Sequence, residues 1–108
     1  MPLFVVLGKW TDQGIRNIKD VSERAKKAHS MVEKAGGKIQ LYYTLGEYDF
    51  AGVVEVPSDE DVMKILLCLG SMGNIRTKTM KAWTEAEFTK ALSEGHSFEK
   101  YFEKQQPL

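Results

Sequence analysis

The chain has 108 residues, of which 43% are hydrophobic and 28% are charged, the balance of an ordinary globular domain. Fifteen basic and fifteen acidic residues cancel, so there is no strong positive field to attract nucleic acid. No apolar run approaches the roughly 18 residues that span a bilayer, and the apolar N-terminus lacks the basic region and cleavage site of a signal peptide. These features predict a cytoplasmic protein that binds neither nucleic acid nor membranes.

The first third of the chain reads as a strand followed by a helix. Leu3–Trp10 is rich in β-branched and aromatic residues, which favours a strand. A helix is expected to begin near Asp20 or Ser22, with Glu23 at an approximate capping-box spacing from Asp20, and to end at Gly36-Gly37. Its apolar face consists of residues at helical spacing, namely Ile18, Val21, Ala25, Ala28, Val32 and Ala35.

Two strand-like runs, Lys38–Leu45 and Tyr48–Val56, follow with almost no residues between them. Gly46 can take the positive φ angle that other residues avoid, and glycine between alternating apolar runs is a hairpin signal. The sequence therefore predicts a tight turn at Gly46. If Tyr48 and Asp49 are both in strand geometry, their side chains point to opposite faces of the sheet.

The second half of the chain repeats the helix and strand order. After Pro57-Ser58, a second helix is predicted from the apolar stripe Val62, Ile65, Leu66, Leu69 and Met72. Ile75–Trp83 is predicted to be the fourth strand, and Thr84 with Glu87 forms a capping box for a last helix from Glu85 to about Ser93. The tail carries aromatic residues that are expected to dock on another surface, namely Phe98, Tyr101 and Phe102.

This order of elements is that of the split βαβ arrangement. It predicts an α+β, ferredoxin-like βαββαβ fold with a four-stranded antiparallel sheet, both main helices on one face, and an extra C-terminal helix. The expected division is a domain at residues 1–94 and a tail at residues 95–108.

The first strand is apolar on both faces, which is unusual for a sheet with helices on only one side. Phe4 and Val6 point one way, whereas Val5 and Leu7 point the other. A bare apolar face is rarely kept by a monomer, so a homodimer or higher oligomer is predicted. The alternative is that the C-terminal helix and tail wrap around this face, although the aromatic tail segment is too short to cover four strands.

Three segments carry a resemblance to a known family. They are Lys9–Gly14 after the first strand, Leu45–Asp49, and Gly70–Thr77 at the start of the fourth strand. Together they resemble the GYD domain family, which is named for a Gly-x-Tyr-Asp element, over most of residues 2–92. The resemblance implies a dimeric α/β barrel, in which two sheets pack together, and it implies no settled biochemical activity.

Five residues are candidates for chemistry or ligand binding. His29 projects near the apolar face of the first helix and could act as a general base. Tyr48 could donate a proton and Asp49 could accept one. Arg76 could pair with Asp49 or hold an acidic ligand. Trp10 could form one side of a pocket for a flat apolar ligand.

Each candidate also has a purely structural interpretation. His29 could be a hydrogen-bonded helix residue, Asp49 could satisfy backbone donors of the turn, and Tyr48 could pack at the sheet edge. Arg76 could form a surface salt bridge and Trp10 could fill the core. Trp83, at the end of a strand expected to be central or near-central, has the same two interpretations as Trp10.

No metal or cofactor is expected, because two histidines and one cysteine lie too far apart for a metal-binding motif. Cys68 is predicted to be buried and inert. Three functions stay open. The first is a small homo-oligomeric protein that binds a small organic ligand in a cleft between helices and sheet. The second is a cofactor-independent enzyme of isomerase, cyclase or monooxygenase type with His29 as base. The third is a structural subunit-interaction module.

Overall fold

The computed structural model describes residues 1–94 and 100–101. The predicted order of strands and helices is confirmed there, while Phe98 and Phe102 of the tail lie outside the described residues. The elements are β1 (Leu3–Trp10), α1 (Asp12–Arg16), a 3₁₀ turn (Ile18–Asp20), α2 (Val21–Lys34), β2 (Lys38–Tyr43), β3 (Phe50–Glu55), α3 (Asp59–Ser71), β4 (Ile75–Ala82) and α4 (Glu85–Ser93).

The four strands form an antiparallel sheet in the order β2-β3-β1-β4, which confirms the ferredoxin-like α+β fold. Helices α2 and α3 pack on the same face of the sheet. The core beneath them is formed by buried side chains from the sheet and both helices, namely Phe4, Val6, Val32, Val54, Val56 and Val62. β4 is an edge strand, so the expectation that Trp83 ends a central or near-central strand was wrong.

Three helices begin at capping residues with extended backbone, but α2 does not. The hydroxyl groups of Thr11, Ser58 and Thr84 accept hydrogen bonds from the first turns of α1, α3 and α4. Asp20 makes no such bond, because the preceding 3₁₀ turn leaves its backbone at φ −92°, ψ 9° and an N-cap needs extended backbone. The predicted capping box at Asp20 was therefore wrong.

The capping box of α4 is complete, as the sequence predicted. The Thr84 N–H donates to the Glu87 carboxylate at 2.8 Å, and the Glu87 N–H donates back to the Thr84 hydroxyl at 3.0 Å. The backbone hydrogen bond from Thr84 lowers the pKa of Glu87 below its usual value.

The connection between β2 and β3 is a six-residue loop, Thr44–Asp49, and not the tight turn that was predicted. Gly46 does adopt a positive φ of 118°. Asp49 anchors the end of this loop: its N–H donates to the Gly8 carbonyl at 2.8 Å, and its own carbonyl accepts from the Thr44 N–H at 2.9 Å. Tyr48 and Asp49 are consequently loop residues, so their side chains do not follow strand alternation.

The sheet face opposite α2 and α3 carries an apolar patch. Val5 on β1 is paired with Val53 of β3 and Met80 of β4, and Leu7 is paired with Ala51 of β3. Because strand side chains alternate, these residues point away from the buried Phe4 and Val6. The apolar side chains of this face form the open-face patch, which consists of Leu3, Val5, Leu7, Tyr42, Ala51, Val53 and Met80.

Helix α4 does not bury its side chains against the sheet. Every residue from Trp83 to Glu94 is exposed, and Trp83, Phe88 and Leu92 have exposed fractions of 60%, 59% and 40%. The described part of the C-terminal region therefore leaves the open-face patch uncovered. Cys68 on α3 is also exposed, because it lies away from the apolar stripe of that helix, so the prediction that it is buried was wrong.

Candidate functional site

An apolar cleft of about 90 Å³ lies between the two main helices and the helix-covered face of the sheet. The apolar stripes predicted for the two helices face it. Its helical walls include Val21, Ala25 and Ala28 of α2 and Ile65, Leu66 and Leu69 of α3. This is the position at which the sequence predicted a cleft for a small organic ligand.

Aromatic rings close one end of the cleft. The Trp10 ring centroid lies 5.3 Å from that of Phe50 and 6.1 Å from that of Tyr43, both in tilted arrangements. Phe50 packs directly over Gly8, where an added Cβ would lie 1.9 Å from the ring. The aromatic wall therefore requires glycine at position 8. Trp10 lines the cleft, whereas Trp83 is exposed and does not.

Arg24 of α2 is the one charged residue among those that line the cleft. Its guanidinium carbon lies 5.7 Å from the Trp10 ring centroid. Nη1 donates to the Asn17 carbonyl at 2.7 Å, and Nη2 donates to the Gly14 carbonyl at 3.4 Å. Nε is buried and has no hydrogen-bond partner among the described residues.

Sequence reasoning missed Arg24, although a signal was present. The residue lies three positions after Val21 and four before Ala28, so it belongs to the apolar face of the same helix. A cation on an apolar helix face must be desolvated or paired, which marks the position as unusual.

Segments Lys9–Gly14 and Gly70–Thr77 meet at this end of the cleft. The Thr11 N–H donates to the Asn74 carbonyl at 3.0 Å, and the Thr11 hydroxyl donates to the Gly73 carbonyl at 2.5 Å. The Gln13 side-chain amide donates to the Met72 carbonyl at 2.9 Å. These bonds attach α1 to the start of β4.

The third segment, Leu45–Asp49, joins the other two segments through Asp49. Its carboxylate Oδ2 accepts a hydrogen bond from the Trp10 N–H at 2.8 Å. Tyr48 is half-buried, with the Lys9 ammonium 5.2 Å from its ring centroid. The three segments thus converge around the Trp10 end of β1.

The other two predicted site residues lie apart from this arrangement. His29 is half-buried and lines a shallow surface groove with Lys26, Ser30, Glu33 and Lys34, and it is not among the residues that line the cleft. Arg76 is exposed, and its Nη1 donates to the carbonyl groups of Gly70 at 3.0 Å and Ile75 at 2.7 Å. Of the five candidates, Trp10, Tyr48 and Asp49 are therefore brought together, and no hydrogen bond joins Arg76 to Asp49 in the described structure.

The GYD domain family model matches residues 4–92, which is most of the chain. The chain belongs to the GYD domain family. A relative from Thermus thermophilus, named glutamine synthetase and cystathionine beta-lyase binding protein, is 36% identical over 84 residues. The alignment covers 76% of this chain and 88% of the relative.

A crystal structure of a protein from Thermus thermophilus has the same fold. It superimposes with a TM-score of 0.51 at 18% identity, covering 77% of this chain and 94% of that one. At this identity the likeness supports the fold alone.

In this GYD domain the signature tetrapeptide Gly46-Glu47-Tyr48-Asp49 has a clear structural part. Gly46 supplies the positive φ, and Asp49 ties the loop to β1 through Gly8 and Trp10. Within residues 1–94 and 100–101, no cluster of three or more His, Cys, Asp or Glu side chains is arranged to hold a metal ion. In the same range no helix has the length and apolar character to cross a membrane.

Proposed function

We propose that this GYD domain is a homodimeric protein-binding module. The observation that carries the proposal is the open-face patch, an apolar sheet surface that no element covers in the described part of the chain. The named activity of the Thermus relative, which is to bind two enzymes, supports protein binding as the function.

The proposed occupant of the open-face patch is a second copy of the same chain. Val5, Val53 and Met80 form adjacent cross-strand pairs at its centre. Polar side chains of the same face, namely Lys9, Lys38, Gln40, Glu55, Arg76 and Lys78, surround this centre. An apolar centre with a polar rim is the usual composition of a protein interface, and a two-fold axis allows one patch to pair with itself.

The dimer leaves a second apolar surface for another protein. Trp83 precedes α4, and Phe88 and Leu92 are four residues apart on one side of that helix. Exposed aromatic side chains are enriched among residues that dominate binding energy. We infer that α4 contacts the partner enzyme, and the enzymes named for the relative are the first partners to test.

Binding to these two enzymes tests the function directly. Glutamine synthetase and cystathionine beta-lyase from the organism that carries this chain should each be titrated with the purified protein in biolayer interferometry. We expect saturable binding to at least one enzyme. The double variant Trp83→Ala, Phe88→Ala should weaken it by about 30-fold, the effect of losing one hot spot.

Ile15→Ala is the matched control, because Ile15 is an apolar side chain of α1 with 54% exposure, away from α4. It should bind as the unmodified protein does. Absence of binding to both enzymes would contradict the proposed function for these partners. Unchanged affinity of the double variant would contradict the assignment of α4 as the contact surface.

The cleft supports a second candidate function, the binding of a small organic ligand. It is apolar, and it lies on the helix-covered face of the sheet, apart from both proposed protein-binding surfaces. The enzymatic alternative has less support, since His29 does not line this cleft.

A further inference from the structure

We propose that the cleft binds a small carboxylic acid with a compact apolar tail, and that Arg24 pairs with its carboxylate. This inference rests on the second candidate function, ligand binding in the cleft, and it adds the chemical class of the ligand. It is independent of the proposed binding to enzymes.

The size and lining of the cleft define the tail. The volume of about 90 Å³ is enclosed by aliphatic and aromatic side chains of α2, α3 and the sheet. A cavity of about 150 Å³ admits the six carbons of benzene, so this smaller cleft suits a branched tail of about three or four carbons. A long acyl chain or a nucleotide is too large for it.

The charge of the lining defines the head group. Arg24 contributes a positive charge, and among residues 1–94 and 100–101 no aspartate or glutamate lines the cleft. An anion entering this low-dielectric space is therefore stabilised, and a cation is repelled. A ligand without a hydrogen-bond acceptor would leave the buried Nε of Arg24 without a partner, and a neutral acceptor would leave its charge uncompensated.

The hydrogen bonds of Arg24 leave one edge of the guanidinium without a close partner; Nε is buried, so a ligand must displace neighbouring side-chain atoms to reach it. Nη1 is engaged closely with the Asn17 carbonyl, whereas Nε has no partner among the described residues and Nη2 makes only the longer bond to Gly14. Nε and Nη2 form the edge that binds a carboxylate through two parallel hydrogen bonds. The bond to Asn17 and the Trp10 ring hold this group in place, so little ordering cost remains on binding.

Tryptophan fluorescence provides the measurement. The chain has two tryptophans, so Trp83→Phe leaves Trp10, at the end of the cleft, as the single reporter. In this background we compare 3-methylbutanoate with its neutral counterpart 3-methylbutanamide. The acid should bind at least about tenfold more tightly than the amide, because its hydrogen bonds to Arg24 are charge-assisted.

Arg24→Met keeps an apolar stem of similar length and removes the charge. It should bind the acid no more tightly than the amide. Arg16→Met is the control, because Arg16 is an exposed arginine of α1 that does not line the cleft, and it should retain the preference for the acid. Arg24→Lys keeps the charge but lacks the two-donor edge, so its preference should be smaller than that of the unmodified arginine.

The outcomes distinguish the role of Arg24 from ligand binding in the cleft. Equal binding of acid and amide to the Trp83→Phe protein would overturn the role of Arg24 while ligand binding in the cleft stands. An undiminished preference for the acid in Arg24→Lys would overturn the two-bond geometry, and this test stands even where Arg24→Met fails to fold. Binding of neither compound at millimolar concentration would overturn both the inference and the candidate function beneath it.

Discussion

Replacing Val5 by aspartate should convert the homodimer into a folded monomer. Val5 lies on the central strand β1, between Val53 and Met80, at the middle of the open-face patch. Two such substitutions, one from each copy, would bury unpaired charges in the interface, a cost of several kcal/mol. Sedimentation velocity should show the mass falling from about twice 12.2 kDa to 12.2 kDa.

The matched control for Val5→Asp is Leu67→Asp. Leu67 is an apolar residue of α3 with 67% exposure, so the same change of chemistry there should leave the dimer intact. The Val5 variant should keep the circular dichroism spectrum of the unmodified protein, because its side chain points away from the core under α2 and α3. If Val5→Asp loses the fold, Met80→Asp on the edge strand makes the same test. A variant that folds and stays dimeric would show that the interface lies elsewhere.

Replacing Gly14 by alanine should destabilise the domain severely. An added Cβ would lie 2.1 Å from the Asn74 backbone oxygen, and backbone cannot move aside as a flexible side chain can. The collision would separate α1 from the start of β4 and break the bonds that Thr11 and Gln13 make there. We expect a loss of about 3 kcal/mol, at the upper end of the overpacking range, and a fall in Tm on the order of 15 °C.

Gly70→Ala is the control for this substitution. An added Cβ at Gly70 has no atom within 4 Å, and the residue lies inside α3. Alanine favours a helix over glycine, so the free energy of unfolding should rise by about 0.5–1 kcal/mol. If the free energy of unfolding falls for Gly14→Ala and rises for Gly70→Ala, the contact with Asn74 is the cause of the destabilisation at position 14. A Gly14→Ala protein as stable as the unmodified one would contradict the close approach of α1 to β4.

The periodic patterns of the sequence were sufficient to predict the fold. The apolar stripes of α2 and α3 each match a face seen in the structure, and the two apolar faces of β1 match the core and the open-face patch. The start of α4, which depends on the local capping box of Thr84 and Glu87, was also predicted correctly. The hairpin at Gly46 was predicted correctly, but its strands are joined by a six-residue loop and not by the predicted tight turn. Asp49 in this loop bonds to Gly8 and Trp10, and such long-range bonds leave no mark on local sequence spacing.

The site was harder to predict because it depends on packing between distant segments. His29 was placed near the cleft from helical spacing alone, but its position on α2 directs it to the groove beside Lys26 and Glu33. Arg24 was not among the predicted site residues. The need for glycine at position 14 arises from Asn74, a neighbour far away in the chain, so no local pattern could indicate it.

The central claim is that the open-face patch is a protein-binding surface occupied by a second copy. An isotope-filtered NOE experiment tests this claim most directly. Equal amounts of ¹³C-labelled and unlabelled protein are mixed, so that only contacts between copies are observed. The account predicts intermolecular NOEs from the methyl groups of Val5, Val53 and Met80. Intermolecular NOEs confined to α2 and α3, or none at all at a mass of 12.2 kDa, would contradict it.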